Sequence, residues 1–125
     1  MTRSTRPVFL NLTQIRMPVG ALTSIGHRVT GVLLAAGVPV GAYLLDRSLQ
    51  DEQGFVDVAG LLRHGAVKVA LVLLIWALAH HVLAGVRHLL SDFDVGSPLR
   101  QARRSAWFVN LGGMVVALFA AGALS

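Results

Sequence analysis

The sequence predicts an all-α membrane protein with three transmembrane helices. Three observations carry this: three long uncharged apolar runs, too few charges to coat a soluble domain, and an uneven placement of arginine around the runs. Hydrophobic residues make up 54% of the 125 residues and charged residues 14%, against about 25% charged in an average soluble domain. A mean hydropathy of +0.66 excludes a disordered chain. Cysteine is absent, which excludes a disulfide framework, a zinc–thiolate site or an iron–sulfur cluster on this chain. Five Phe, two Trp and one Tyr give no stacking platform for nucleic acid. The net charge of +5 sits beside the apolar runs, so it reads as membrane topology rather than a nucleic-acid footprint.

The first element is an arm, residues 1–20, that ends in the break Met17-Pro18. A cleaved signal peptide is not expected, because Arg16, His27 and Arg28 interrupt any early apolar stretch. Three uncharged runs follow. Val29 to Leu45 is 17 residues, Val69 to Val86 is 18 and contains His80 and His81, and Ala106 to Leu124 is 19. A spanning helix takes about 20 mostly apolar residues, with a lower limit of ~17. With their flanks the spans cover about 21–45, 66–90 and 104–124 within one anchor domain, 1–125. Span one holds Gly31, Gly37, Gly41 and Pro39, and span three holds Gly112 and Gly113. Small residues let helices approach closely in lipid, and proline permits a kink. Between spans one and two, Phe55, Val58, Ala59 and Leu62 share one helical face, which suggests a short helix in the interface or a solvated loop. No internal repeat or low-complexity segment stands out.

Direction follows from the basic residues. Arg3, Arg6, Arg16 and Arg28 precede span one, and Arg87, Arg100, Arg103 and Arg104 lie between spans two and three. The intervening loop has Arg47, Arg63 and Lys68, offset by Asp46, Asp51, Glu52 and Asp57. Eight basic residues against three place the N-terminus in the cytoplasm and the C-terminus outside.

Ionisable residues inside membrane helices are costly and mark function. Ser24, His27 and Arg28 stand at i, i+3 and i+4, on one helical face at the start of span one, with Thr30 following. That face offers a hydroxyl, an imidazole and a permanent cation, suited to a quinone carbonyl or to a carboxylate such as a haem propionate. The same residues are also explained by Arg28 snorkelling to headgroups and Ser24 capping the helix. The second cluster runs from His80 to Asp92. His81 and His88 are seven apart, nearly on one face, and about 10.5 Å apart along the helix. They cannot share one metal ion, but they can serve the metal and the polar edge of one large planar cofactor. Gly85, four after His81, leaves room for a flat ring against the backbone. His80 points about 100° away. The alternative is an interhelical hydrogen bond from each imidazole. For a haem with two axial ligands a second chain is the simpler solution, because His27 lies near the cytoplasmic surface, His64 lies in the outer loop, and span three has no His and only Met114 as a thioether.

Two motifs extend these clusters. One is Arg6-Pro7 leading through Leu10, Leu12 and Arg16-Met17-Pro18 into Ser24-Ile25-Gly26-His27-Arg28-Val29-Thr30-Gly31. The other is His81-Val82-Leu83-Ala84-Gly85-Val86-Arg87-His88-Leu89-Leu90-Ser91-Asp92. Together they resemble the cytochrome b subunits of succinate dehydrogenase, the larger membrane-anchor chains of respiratory complex II. The resemblance covers almost the whole chain. It implies a complex with a flavoprotein subunit, an iron–sulfur subunit and a second anchor subunit in a bacterial inner membrane. The two anchors would form a six-helix unit holding haem b and a ubiquinone site. It places the axial haem ligand on His81, the quinone contacts on Ser24 and Arg28, and a propionate neighbour on His27. For His88 it leaves propionate contact or structural support open. The adjacent His80 departs from the pattern as a competing ligand. A haem-free structural anchor, a fumarate reductase anchor and a small transporter subunit are the alternatives; the last lacks a polar pore-lining stripe.

Overall fold

The structure, a computed structural model, describes residues 16–125; the greater part of the expected arm, residues 1–15, lies outside the described residues. Four helices follow one another: α1 (Val19–Gln50), α2 (Glu52–Leu62), α3 (Gly65–Asp92) and α4 (Leu99–Leu124). Helices α1, α3 and α4 contain the three predicted spans and are long and apolar enough to cross a membrane. At 26 to 32 residues they are about 39–48 Å long, so each extends beyond a hydrocarbon core of ~30 Å. Their outward surfaces are apolar: Val32, Leu49 and Phe119 are each at least 71% exposed. Water would not tolerate such surfaces, whereas lipid or neighbouring helices would cover them. This chain is a multi-pass membrane protein.

Helix α1 starts where the Met17-Pro18 break stands, with Pro18 as its N-cap. Ser24 therefore lies within the helix, not at its cap. The helix runs unbroken through Pro39. Asp51 both ends α1 and caps α2, its side chain accepting from the Gly54 backbone N–H. Gly54 is required there, because a Cβ would lie 2.3 Å from the Arg47 carbonyl oxygen. Arg47 adds ion pairs to Asp51 at 3.6 Å and Asp57 at 3.8 Å; both are exposed and contribute little. Of the two readings of the segment before span two, a short helix or a solvated loop, the helix is present as α2. Its predicted face is only partly covered: Val58 is buried, while Phe55 and Leu62 remain exposed.

Helix α3 ends in a Schellman turn. The Val95 N–H donates to the Leu90 carbonyl and the Asp94 N–H to the Ser91 carbonyl, with Asp94 in the left-handed region at φ 58°. Asp tolerates that conformation better than most residues. The turn leads through Pro98 into α4.

The core between helices is small and partly polar. Ala77, Ala84, Ala106, Val109, Thr23 and Thr30 are buried, together with His80. In lipid no hydrophobic force drives helix against helix, so small residues and hydrogen bonds must do it. Gly26, Gly31 and Gly37 of α1 face His80, His81 and Leu74 of α3, with a Cβ at each falling 2.4–3.1 Å from the nearest side-chain atom. Gly112 and Gly113 of α4 admit Leu83 and His80 in the same way. Gly41, by contrast, meets nothing within 4 Å. Arg87 joins α3 to α4: its Nε–H donates to Ser105 Oγ at 3.1 Å and Nη2 to the Ala102 carbonyl at 3.3 Å.

Candidate functional site

Four of the five histidines, His27, His80, His81 and His88, lie in the half of the bundle where α1 begins and α3 ends; His64 caps the start of α3. His27 of α1 lies against α3, its ring stacked on His81 at a centroid distance of 4.1 Å and on His88 at 5.0 Å. The interplanar angles are 15° and 26°. The i, i+7 register of His81 and His88 thus leaves room for one imidazole between them. Gly85 sits beneath it, 3.5 Å from His27 Nε2 to the place a Cβ would take. The flat ring over Gly85 is therefore that of His27, where the sequence suggested a cofactor ring.

His81 is tied to α1 through one nitrogen. Its Nδ1 lies 3.0 Å from the His27 carbonyl oxygen and 3.3 Å from Thr30 Oγ1. A carbonyl can only accept, so Nδ1 carries the proton and Nε2 keeps its lone pair. Among the described residues Nε2 makes no hydrogen bond. Gly31 gives the ring its place, because a Cβ there would be 3.1 Å from His81 Cε1. Thr30 is fully buried and returns its own hydroxyl to the Gly26 and His27 carbonyls, at 2.8 and 3.0 Å. His88 points Nδ1 at the Ala84 carbonyl of its own helix, at 2.6 Å.

His80, one residue earlier, turns into the interior. It is 4% exposed, its Nε2 lies 3.1 Å from Asn110 Oδ1 of α4, and Trp76 packs beside it. Its Nδ1 is buried without a partner among the described residues. His81 is partly exposed, whereas His80 is buried.

Ser24 and Arg28 lie one turn apart on α1. Arg28 is exposed and forms no ion pair among the described residues; Ser24 is half-buried. Neither forms a side-chain hydrogen bond among the described residues. A hollow of about 400 Å³ lies away from them between α1 and α3, lined by apolar residues such as Ala36, Gly37 and Leu74. Ser24, Arg28, His27, His81 and His88 are all at least partly exposed.

Sequence reasoning missed Asn110 and Thr23. Asn110 is the lone amide in the third apolar run, and that is the signal that would have found it. Thr23 is fully buried and brings Oγ1 to 3.2 Å from Asn110 Oδ1 and 3.0 Å from the Val19 carbonyl. It immediately precedes the serine that drew attention.

Comparison with known proteins places this geometry in context. The model of the succinate dehydrogenase/fumarate reductase transmembrane subunit family matches residues 2–121. The succinate dehydrogenase cytochrome b556 subunit of Coxiella burnetii is 34% identical over 116 residues, covering 92% of this chain and 93% of that protein. The b556 subunit of Paracoccus denitrificans is 32% identical over 118 residues, covering 94% and 91%. The mouse mitochondrial cytochrome b560 subunit is 29% identical over 127 residues, covering 99% and 72%. With a match across nearly all of its length, two motifs in order and three spanning helices, this chain belongs to the transmembrane subunits of succinate dehydrogenase and fumarate reductase.

Proposed function

We propose that the chain is the cytochrome b anchor of a succinate:ubiquinone oxidoreductase, holding one haem b jointly with a second anchor subunit and forming part of the quinone site. The observation that carries this reading is the state of His81. Its Nδ1–H is held by the His27 carbonyl, which orients the ring and leaves Nε2 as a donor to iron. A metal-bound histidine usually gives its other ring N–H to a carbonyl or carboxylate. The donor chemistry therefore fits a haem, which His81 would hold together with a residue of the partner anchor. His27, stacked in one column with His81 and His88, would offer a ring N–H suited to a propionate, whereas His88 gives its Nδ1–H to the Ala84 carbonyl and supports the stack.

Bound there, haem b supplies a one-electron store whose potential is set by its axial ligands and burial. The remaining roles belong to this chain's side chains. Arg28 presents a permanent cation with several donors, and Ser24 presents a hydroxyl one turn earlier. Both suit a quinone carbonyl oxygen, where Arg28 stabilises negative charge as it develops on reduction. Ubiquinone takes two electrons and two protons to become ubiquinol, and the protons enter from the aqueous side close to the start of α1. The iron–sulfur subunit would deliver the electrons there, after the flavoprotein subunit has oxidised succinate. This arrangement needs the start of α1 and the α3–α4 turn to face the cytoplasm, as the arginine placement indicates, with the chain in a bacterial inner membrane.

The test is purification through a tag on this chain in mild detergent, followed by a reduced-minus-oxidised visible spectrum. A b-type haem signal with flavin and iron–sulfur subunits attached is the expected result. The same subunits without haem would leave a haem-free anchor. Neither haem nor soluble partners would overturn the proposal.

A further inference from the structure

We propose that His80 is a positioning residue, clasping α3 to α4 through Asn110 and so fixing the rotation at which α3 presents His81. The inference rests on the reading of His81 as a haem ligand and adds a function for the neighbour that the ligand role does not use. His80 occupies the place where three helices meet. Gly26 of α1 and Gly113 of α4 both make room for it, since a Cβ would stand 2.8 Å from His80 Cε1 at the first and 3.3 Å from His80 Cβ at the second. The side chain is nine-tenths buried and its Nε2 reaches Asn110 Oδ1 at 3.1 Å. Thr23 of α1 reaches the same amide oxygen at 3.2 Å. One amide thereby links all three spanning helices.

The chemistry singles out one protonation pattern. With Nε2–H donating to the amide oxygen, Nδ1 keeps a lone pair and lacks a partner. The reverse pattern would bury an unpaired N–H, which is rarer and costlier. Even so, the orphaned lone pair is a cost that a Leu or Phe of similar bulk would avoid. A polar group kept at such a position serves to fix register rather than to add stability.

The geometric consequence reaches His81 directly. Consecutive residues on a helix point about 100° apart, so holding His80 toward α4 turns His81 toward α1. There the His27 carbonyl and Thr30 hold it at 3.0 and 3.3 Å. An imidazole Nε2 lies roughly 6–7 Å from the helix axis, so a 10° rotation of α3 moves it by about 1 Å. A ligand bond to iron does not survive that displacement unaltered, because bond lengths at metal sites hold to about 0.2 Å.

The experiment uses the assembled complex carrying His80→Leu, Asn110→Leu, both together, or His80→Gln, which keeps an N–H donor at a similar reach. Two readouts are taken: the rate at which haem passes to excess apomyoglobin, and the low-spin haem EPR spectrum. Succinate oxidation with a soluble acceptor checks assembly. Each Leu variant should release haem about fivefold to tenfold faster, the scale of one lost hydrogen bond. Each should also shift the EPR signal. The double variant should match the single ones, and His80→Gln should return toward wild type. Wild-type release and spectra in both Leu variants, or a Gln variant no better than Leu, would overturn the clasp. If His80→Leu does not assemble, Asn110→Leu and His80→Gln give the same decision. His81→Leu is the reference: full haem retention there would sink the ligand reading itself, a result distinct from failure of the clasp.

Discussion

Gly26→Ala is the sharpest perturbation of the contact between α1 and α3. The added methyl would stand 2.8 Å from His80 Cε1 and 3.1 Å from Nε2. The first distance is about 0.6 Å short of ordinary contact, so the ring or the helix must move. Overpacking of this kind costs about 1–3 kcal/mol. Displacing the ring also weakens its hydrogen bond to Asn110, at about 0.5–1.5 kcal/mol. Against this, Ala in place of Gly inside a helix gains about 1 kcal/mol. The net loss is about 2 kcal/mol. Gly60→Ala is the control, because nothing lies within 4 Å of its Cβ position and only the helical gain remains. The assay is thermal challenge of the purified complex, scored as the temperature at which half of this chain is lost from it. Gly26→Ala should lower that temperature on the order of 5 °C, and Gly60→Ala should leave it unchanged or raise it. Combining Gly26→Ala with His80→Ala should cost less than the sum of the two, since the clashing ring is gone. Equal melting of Gly26→Ala and Gly60→Ala would refute the packing of His80 against α1.

Other outcomes test other parts of the account. Arg28→Leu should lower quinone reduction roughly 10- to 100-fold, the scale of one charged hydrogen bond, while succinate oxidation by a soluble acceptor persists; parallel loss of both activities would make Arg28 an assembly residue. The cysteine-free chain allows topology to be read directly: a cysteine at Arg104 should be shielded from an impermeant thiol reagent in intact cells, and one at Arg63 should react, with the reverse pattern inverting the orientation. Gly54→Ala should loosen the α1–α2 corner, because its Cβ would collide with the Arg47 carbonyl; faster proteolysis between the two helices would show it. Expressed without its partner, the chain should hold haem poorly, and full retention would contradict a shared pair of ligands.

The three spans and the short helix before span two were legible because charge exclusion over 17 to 19 residues and period-3.6 patterning are local properties. The histidine register was legible for the same reason: positions seven apart must share a face. What lay on that face was not. Gly85 correctly signalled space for a ring, but whether His27 or a cofactor fills it depends on how α1 packs on α3. Asn110 escaped notice because a search for metal ligands passes over an amide, and its importance arises from Thr23 and His80 converging on it across three helices. Likewise Arg87 counted as a topological charge, whereas in the fold it holds Ser105 and the Ala102 carbonyl of α4. The half-buried Ser24 and the exposed Arg28 make no side-chain hydrogen bond among the described residues, so the fold adds nothing to what their spacing already suggested.

The most direct test of the central claim is the reduced-minus-oxidised spectrum of the tag-purified complex carrying His81→Leu, beside wild type and His80→Leu. The account predicts loss of the b-type signal in His81→Leu with the flavin and iron–sulfur subunits still attached, and a signal retained in His80→Leu. Undiminished haem in His81→Leu, or equal loss in both variants, would contradict it.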